Sequence, residues 1–313
     1  MIKTNSIKAW ILAARPKTLS AAAVPVFIGM ALAIRDTLGH IQWVPALLCL
    51  LFAWVMQIDS NLVNDYFDFK HGNDGEDRLG PKRACAEGWI TLPAMKRGIA
   101  VTTLLGCAIG LPLILFGGWQ MVIVGICCVI FCFLYTTQLS YMGMGDVLVL
   151  LFFGIVPVCC TYYLTLPEGQ QTLTYEALVH AVCCGLVVDT LLVVNNYRDY
   201  DNDRKVGKRT LIVKIGRQRA EQLYFLLGFV PFVVMVADTI CPSRTAKSTA
   251  GIAMLYLVYL VLHGMTYRKM KRIRVGKQLN GILGMTARNI LLYGIICFVT
   301  ITSAVWMKWI GLN

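Results

Sequence analysis

The chain has 313 residues, a mean hydropathy of +0.65, 57% apolar residues and 15% charged ones, well under the roughly one quarter charged residues usual in soluble domains. That excludes a soluble fold and leaves an integral membrane protein. The net charge of +12 needs no nucleic acid, because orientation in a bilayer and attraction to anionic lipid heads both call for basic residues.

In chain order, the first apolar letters, A-W-I-L-A-A, are cut short by Arg15-Pro16-Lys17. That is too early for a cleavable signal, so a short interfacial helix is expected before residue 18. Runs near the roughly 20 residues that cross a hydrocarbon core follow at 18–35, 42–63, 97–117, 119–138, 146–164, 174–196, 220–238, 249–267 and 289–309. They predict an all-α polytopic bundle of about nine transmembrane helices, one domain over 1–313. All basic residues except Arg35, Arg244, Lys247 and Lys308 fall before the first span or after the second, sixth and eighth. That bias puts the N-terminus and those loops in the cytoplasm. Most of the 12 cysteines fall inside spans without paired CxxC spacing and read as small packing residues. The four histidines are scattered, without metal-ligand spacing.

The second span ends in N-D-Y-F-D-F at 64–69, and the sixth in N-N-Y-R-D-Y at 195–200. Each is followed by further acids and then bases: Asp74, Asp77, Arg78 and G-P-K-R at 80–83; Asp201, Asp203, Arg204 and G-K-R at 207–209. Two echoes four spans apart, on the same membrane face, suggest a parallel internal repeat with motifs at 61–83 and 192–209.

If the helices continue through the motifs, Asn61, Asn64, Asp65 and Asp68 share one face, as do Asn195, Asn196, Asp199 and Asp203. Clustered carboxylates at helix C-termini repel one another and the partial negative charge of the helix end. A hard cation, Mg²⁺ first, resolves this, held by Asn64, Asp65, Asp68, Asp199 and Asp203 with a ligand's phosphate oxygens completing the shell. Arg78, Lys82 and Arg83, with Arg204, Lys208 and Arg209, are then placed to grip a diphosphate. A diphosphate head over a lipid-filled bundle implies a greasy tail, hence a polyprenyl diphosphate. Arg15 and Lys17, with Asn195, Asn196 and Asp74, are candidates for contact with substrate. For Asp59 and Asp189, inside spans, two readings are open: groups lining the chamber as acceptor-orienting or proton-accepting acids, or neutral acids hydrogen-bonded within the bundle.

At these residues the chain resembles the UbiA superfamily of intramembrane prenyltransferases, with Asn64-Asp65-Tyr66-Phe67-Asp68 and Asp199-Tyr200-Asp201-Asn202-Asp203 standing where that family carries its two acidic motifs. It departs from the family pattern at Gly72, where a third acid is usual. A-A-R-P-K-T-L at 13–19, D-R-L-G-P-K-R at 77–83 and V-N-N-Y-R-D-Y-D-N-D-R at 194–204 resemble the branch acting on 1,4-dihydroxy-2-naphthoate in menaquinone biosynthesis. The resemblance implies two Mg²⁺ ions and catalytic roles for Asp65, Asp68, Asp199 and Asp203. It also implies polyprenyl transfer with loss of diphosphate and CO₂, giving demethylmenaquinol at the cytoplasmic face of a bacterial inner membrane. The rivals are a sister enzyme using 4-hydroxybenzoate and, from another class, a transporter coupling through Asp59 and Asp189.

Overall fold

The structure, a computed structural model, describes residues 2–72, 78–240, 251–309 and 311. Ser6 opens α1 (Ile7–Ala14), its hydroxyl accepting the Ala9 amide at 3.3 Å. Arg15 then takes a left-handed backbone with φ 51°, and Pro16 lacks the amide that would continue the helix. The chain therefore turns sharply into α2 (Leu19–Asp36). There follow α3 (Trp43–Lys70), α4 (Leu92–Gly117), α5 (Gln120–Met142), α6 (Gly145–Thr165), α7 (Tyr175–Arg198), α8 (Tyr200–Lys205), α9 (Leu211–Ile215), α10 (Arg217–Thr239), α11 (Leu255–Ile273) and α12 (Leu279–Trp309). No strand occurs among the described residues.

Among the described residues, eight segments are long and apolar enough to cross a membrane, α1 and α2 together making the first. The span expected at 249–267 is α11, whose last turns carry Arg268, Lys269, Lys271 and Arg272 and so lower its apolar share. It still packs along both α10 and α12. The cysteines inside the spans form no disulfides among the described residues, as their placement predicts.

Two helices form the centre. α2 packs on α3, α6, α7 and α12, and α7 packs on α2, α6, α10 and α12. In lipid, apolar surface alone does not drive helices together, so close contact depends on small residues. A Cβ on Gly154 would stand 2.6 Å from the Ala181 carbonyl oxygen and 2.7 Å from the Gly185 Cα. The α6–α7 crossing therefore tolerates no side chain there. By contrast, α4 and α5 bury few of their residues, and α5 instead walls a large internal space.

Candidate active site

That space is a cavity of about 1330 Å³ among α2, α3, α5, α6 and α7. Most of its length is apolar, with Phe52, Met56, Ile114, Met121, Phe131 and Phe152 on its walls. Its other end is ringed by the two acidic motifs and the loop at 78–83.

α3 stays helical through the first motif, to Lys70. The Asn61 amide donates to the Ala14 carbonyl at 3.0 Å and to Thr18 Oγ1 at 3.1 Å, pinning the break between α1 and α2. Asn64 Oδ1 accepts from the Thr136 hydroxyl of α5. Asp68 accepts Arg83 Nη2 at 2.7 Å. All three line the cavity.

Asp65 departs from the expectation that it is a metal ligand and catalytic residue. It is 1% exposed, off the cavity wall, and its two oxygens accept the Ala84 and Cys85 amides at 2.9 Å each. The reason is angular: successive helical residues turn by about 100°, so Asn61, Asn64 and Asp68 cluster while Asp65 falls at the edge of their arc. Its charge is met by backbone N–H groups, and its work is to hold the 81–88 loop against α3.

The second motif breaks where the first continues. α7 ends at Arg198, and Asp199, with φ −90° and ψ 6°, links it to α8. Arg198, 1% exposed, grips Asp199 with Nε at 2.8 Å and Nη2 at 2.6 Å. Its Nη2 also reaches Asn195 Oδ1 at 2.8 Å, and its Nη1 reaches Asn280 Oδ1 at 2.9 Å. Asn280 in turn donates to the Leu79 carbonyl at 2.8 Å, so this network ties both loops to α12. A Cβ on Gly80 would lie 2.9 Å from Arg198 Nη2, so a side chain there would push on this network. In the sequence Arg198 stands only among the basic residues after the sixth span, and Asn280 belongs to no motif. The arginine's position next to a motif aspartate was the available signal; Asn280 had none.

Asp203 is 5% exposed, and among the described residues its Oδ2 has no hydrogen-bond partner. Burial pushes this carboxyl up to about 6; Asp199 and Asp68 add to the rise, while Lys208 and Arg198 oppose it. Among the described residues no three acids, histidines or cysteines converge closely enough to hold a metal by themselves. Asn64, Asp68, Asp199 and Asp203, which all line the cavity, offer oxygen donors. With an orphaned buried carboxylate oxygen among them, they fit a hard cation that brings phosphate oxygens as further ligands.

Arg78, Lys82, Arg83, Lys208, Arg15, Lys17, Asn195 and Asn196 also line the cavity. Arg204 and Arg209 do not; both are exposed, and the Arg209 amide is bound to the Tyr141 carbonyl at 3.0 Å. Asp74 and Asp77 lie outside the described residues. Asp59 is fully buried and satisfied by α4, accepting from the Thr102 hydroxyl and from that of Thr103 at 2.9 Å. Asp189 interacts instead with Asp146, so the two intramembrane acids named from sequence have separate partners.

A helical membrane bundle that sets carboxylates and arginines over an apolar chamber is the arrangement of an intramembrane transferase of lipid diphosphates. The chain belongs to the UbiA prenyltransferase family, which its residues 22–279 match. It is 38% identical over 229 residues to a 1,4-dihydroxy-2-naphthoate octaprenyltransferase of Escherichia coli, covering 70% of this chain and 72% of that protein. To the protein of the same description from Haemophilus influenzae it is 33% identical over 248 residues, 76% and 79% of the two chains. The fold is similar to a UbiA homologue of Archaeoglobus fulgidus bound to GPP and Mg²⁺, with a TM-score of 0.62 at 14% identity, over 93% of this chain and 99% of that one.

Proposed function

We propose that this protein transfers a polyprenyl chain from polyprenyl diphosphate to 1,4-dihydroxy-2-naphthoate, releasing diphosphate and CO₂ and giving demethylmenaquinol. The observation that carries this is the convergence of both motif ends on one cavity, polar at the rim and apolar beyond, in a chain close to naphthoate octaprenyltransferases. Asn64, Asp68, Asp199 and Asp203 would hold Mg²⁺, two ions on this reading. When bound, the metal supplies positive charge against the departing diphosphate. Arg83 and Arg198 keep Asp68 and Asp199 oriented and charge-balanced. Arg78, Lys82 and Lys208 stand on the rim as diphosphate ligands, and Arg15 and Lys17 as ligands of the acceptor. The apolar walls take the prenyl chain, since each CH₂ kept from water contributes about 0.8 kcal/mol.

The basic bias of the motif loops supports a cytoplasmic rim and N-terminus in a bacterial inner membrane. The reciprocal packing of α2 on α7 and α3 on α6 supports a parallel four-helix repeat within a single domain.

An acceptor panel in detergent, with labelled prenyl diphosphate and with or without Mg²⁺, tests the reading. The naphthoate should release CO₂ in step with diphosphate, and 4-hydroxybenzoate should be a poor acceptor. Near-normal turnover by Asp68→Asn and Asp199→Asn proteins would sink the metal-site account.

A further inference from the structure

We propose that Asp146 and Asp189 form the acceptor's proton-handling site, hydrogen-bonding a ring hydroxyl of the aromatic acceptor and taking its proton as the new carbon–carbon bond forms. The inference rests on the prenyl transfer proposed above. Neither residue belongs to the repeated motifs. Asp146 lies in the first turn of α6 and lines the cavity; Asp189, on α7, is 5% exposed. Both carboxylate oxygens of Asp146 and Oδ1 of Asp189 are buried, and among the described residues they find no hydrogen-bond partner beyond Asp146's own backbone. Among the described residues, the charge that acts on Asp189 is that of Asp146.

Such a pair is unfavourable as two anions at hydrocarbon depth, so it keeps one proton and one open acceptor. That makes it a polar spot on the wall of an otherwise apolar chamber. A neutral ring hydroxyl fits it, donating to the ionised oxygen, whereas diphosphate and carboxylate groups are repelled and belong at the basic rim.

Tyr135 faces the same place. It begins a wide π-helical turn, Tyr135–Leu139, lines the cavity, and has its hydroxyl 3.9 Å from where a Gly145 Cβ would stand. The charges that reach it are those of Asp146 and Asp189 first, then Asp68 and Asp203. The phenol is thus within electrostatic reach of both the carboxyl pair and the motif acids. π-Helical turns are rare and concentrate at functional sites.

The step balances without an added reagent. The hydroxyl O–H bond breaks and its proton goes to the carboxylate. The ring's electron pair forms the bond to the allylic carbon, whose C–O bond to diphosphate breaks, diphosphate leaving with those electrons. The ring–carboxylate bond then breaks, CO₂ leaves, and its electron pair restores the aromatic ring and the oxyanion, which takes the proton back.

Asp146→Asn and Asp189→Asn proteins, assayed in detergent with Mg²⁺, polyprenyl diphosphate and the naphthoate from neutral to alkaline pH, test this. Loss of a general base predicts about a 100-fold fall in kcat/KM for the acceptor near neutrality. The deficit should narrow as rising pH ionises the naphthol itself, while KM for the diphosphate stays within about threefold. Asp146→Glu, which keeps the carboxyl, should lose less than Asp146→Asn. Acceptor kinetics close to wild type, a deficit equal at every pH, equal losses in the Glu and Asn proteins, or a parallel rise in diphosphate KM would each overturn the proposal in favour of a packing role. If the wild type prenylates a different phenol, the functional reading fails, and the same pH comparison on that phenol decides the carboxyl pair.

Discussion

The two acidic motifs read almost alike, yet the structure employs them differently. Asn64, Asp65, Tyr66, Asp68 and Gly72 correspond in order to Asn195, Asn196, Tyr197, Asp199 and Asp203. Asp68 and Asp199, the shared acids, both face the cavity and are each held by an arginine. The difference lies around them. In the first copy Asp65 points away and fastens the 81–88 loop, and the chain turns out of α3 at Gly72, whose φ of 72° suits glycine. In the second copy the position of Asp65 is an uncharged Asn196, and a further helical turn brings Asp203 back to the cavity. Each half therefore has two acids in its core motif, one spent on structure in the first and both turned to the site in the second. A repeated motif conserves position on the helix, and the neighbouring loop decides what each position does.

Breaking the shared pair should cost most. Asp68→Asn and Asp199→Asn should each lower kcat by about 10²–10³-fold, the cost of removing one electrostatic partner of the transition state, read as labelled prenyl product. Next is Arg198→Lys, which keeps the charge but loses the fork that holds Asp199, Asn195 and Asn280 together. Residues that orient metal ligands cost about 10–100-fold when changed, and the half-saturating Mg²⁺ concentration should rise accordingly.

Asp65→Asn separates the copies. An amide offers one acceptor oxygen where two backbone amides need one each, so stability should fall by about 1–3 kcal/mol. Thermal unfolding in detergent and protease cleavage within 81–88 would show it, with Mg²⁺ dependence far less altered than in Asp68→Asn. A kinetic defect in Asp65→Asn matching that of Asp68→Asn would erase the distinction.

Asp203 should give the second copy a pH dependence of its own. Its carboxyl is raised from 3.8 to about 6, so between those values a proton competes with the cation. Mg²⁺ affinity should rise with pH through that window and level off above it, and Asp203→Asn should flatten the slope. The smallest effects belong to Arg204→Gln and Arg209→Gln: exposed cations off the cavity wall should change kcat/KM by no more than about threefold.

Much of the architecture was legible because a bilayer leaves few choices. Apolar length and two echoed polar motifs are properties of residues in order, and they were enough to place the helices; the structure sets Asp68, Asp199, Asp203 and Lys208 along one cavity. What order cannot carry is the direction of a side chain at the edge of a helical face, or the partner that arrives from elsewhere in the chain. Asp65 looked like Asp68 until the loop amides of Ala84 and Cys85 claimed it. Arg198 looked like a surface charge until Asn280, 82 positions away, met it, and Asp146 carried no motif until α6 and α7 set it beside Asp189. The sequence alone determined a membrane bundle with two acid clusters at one end, because hydrophobicity and charge act locally. Only the tertiary structure decided which acids remain open for chemistry, because the groups that satisfy a buried carboxylate come from elsewhere in the chain: backbone amides commit both oxygens of Asp65 to holding the fold, whereas Asp203 keeps an oxygen with no hydrogen-bond partner among the described residues.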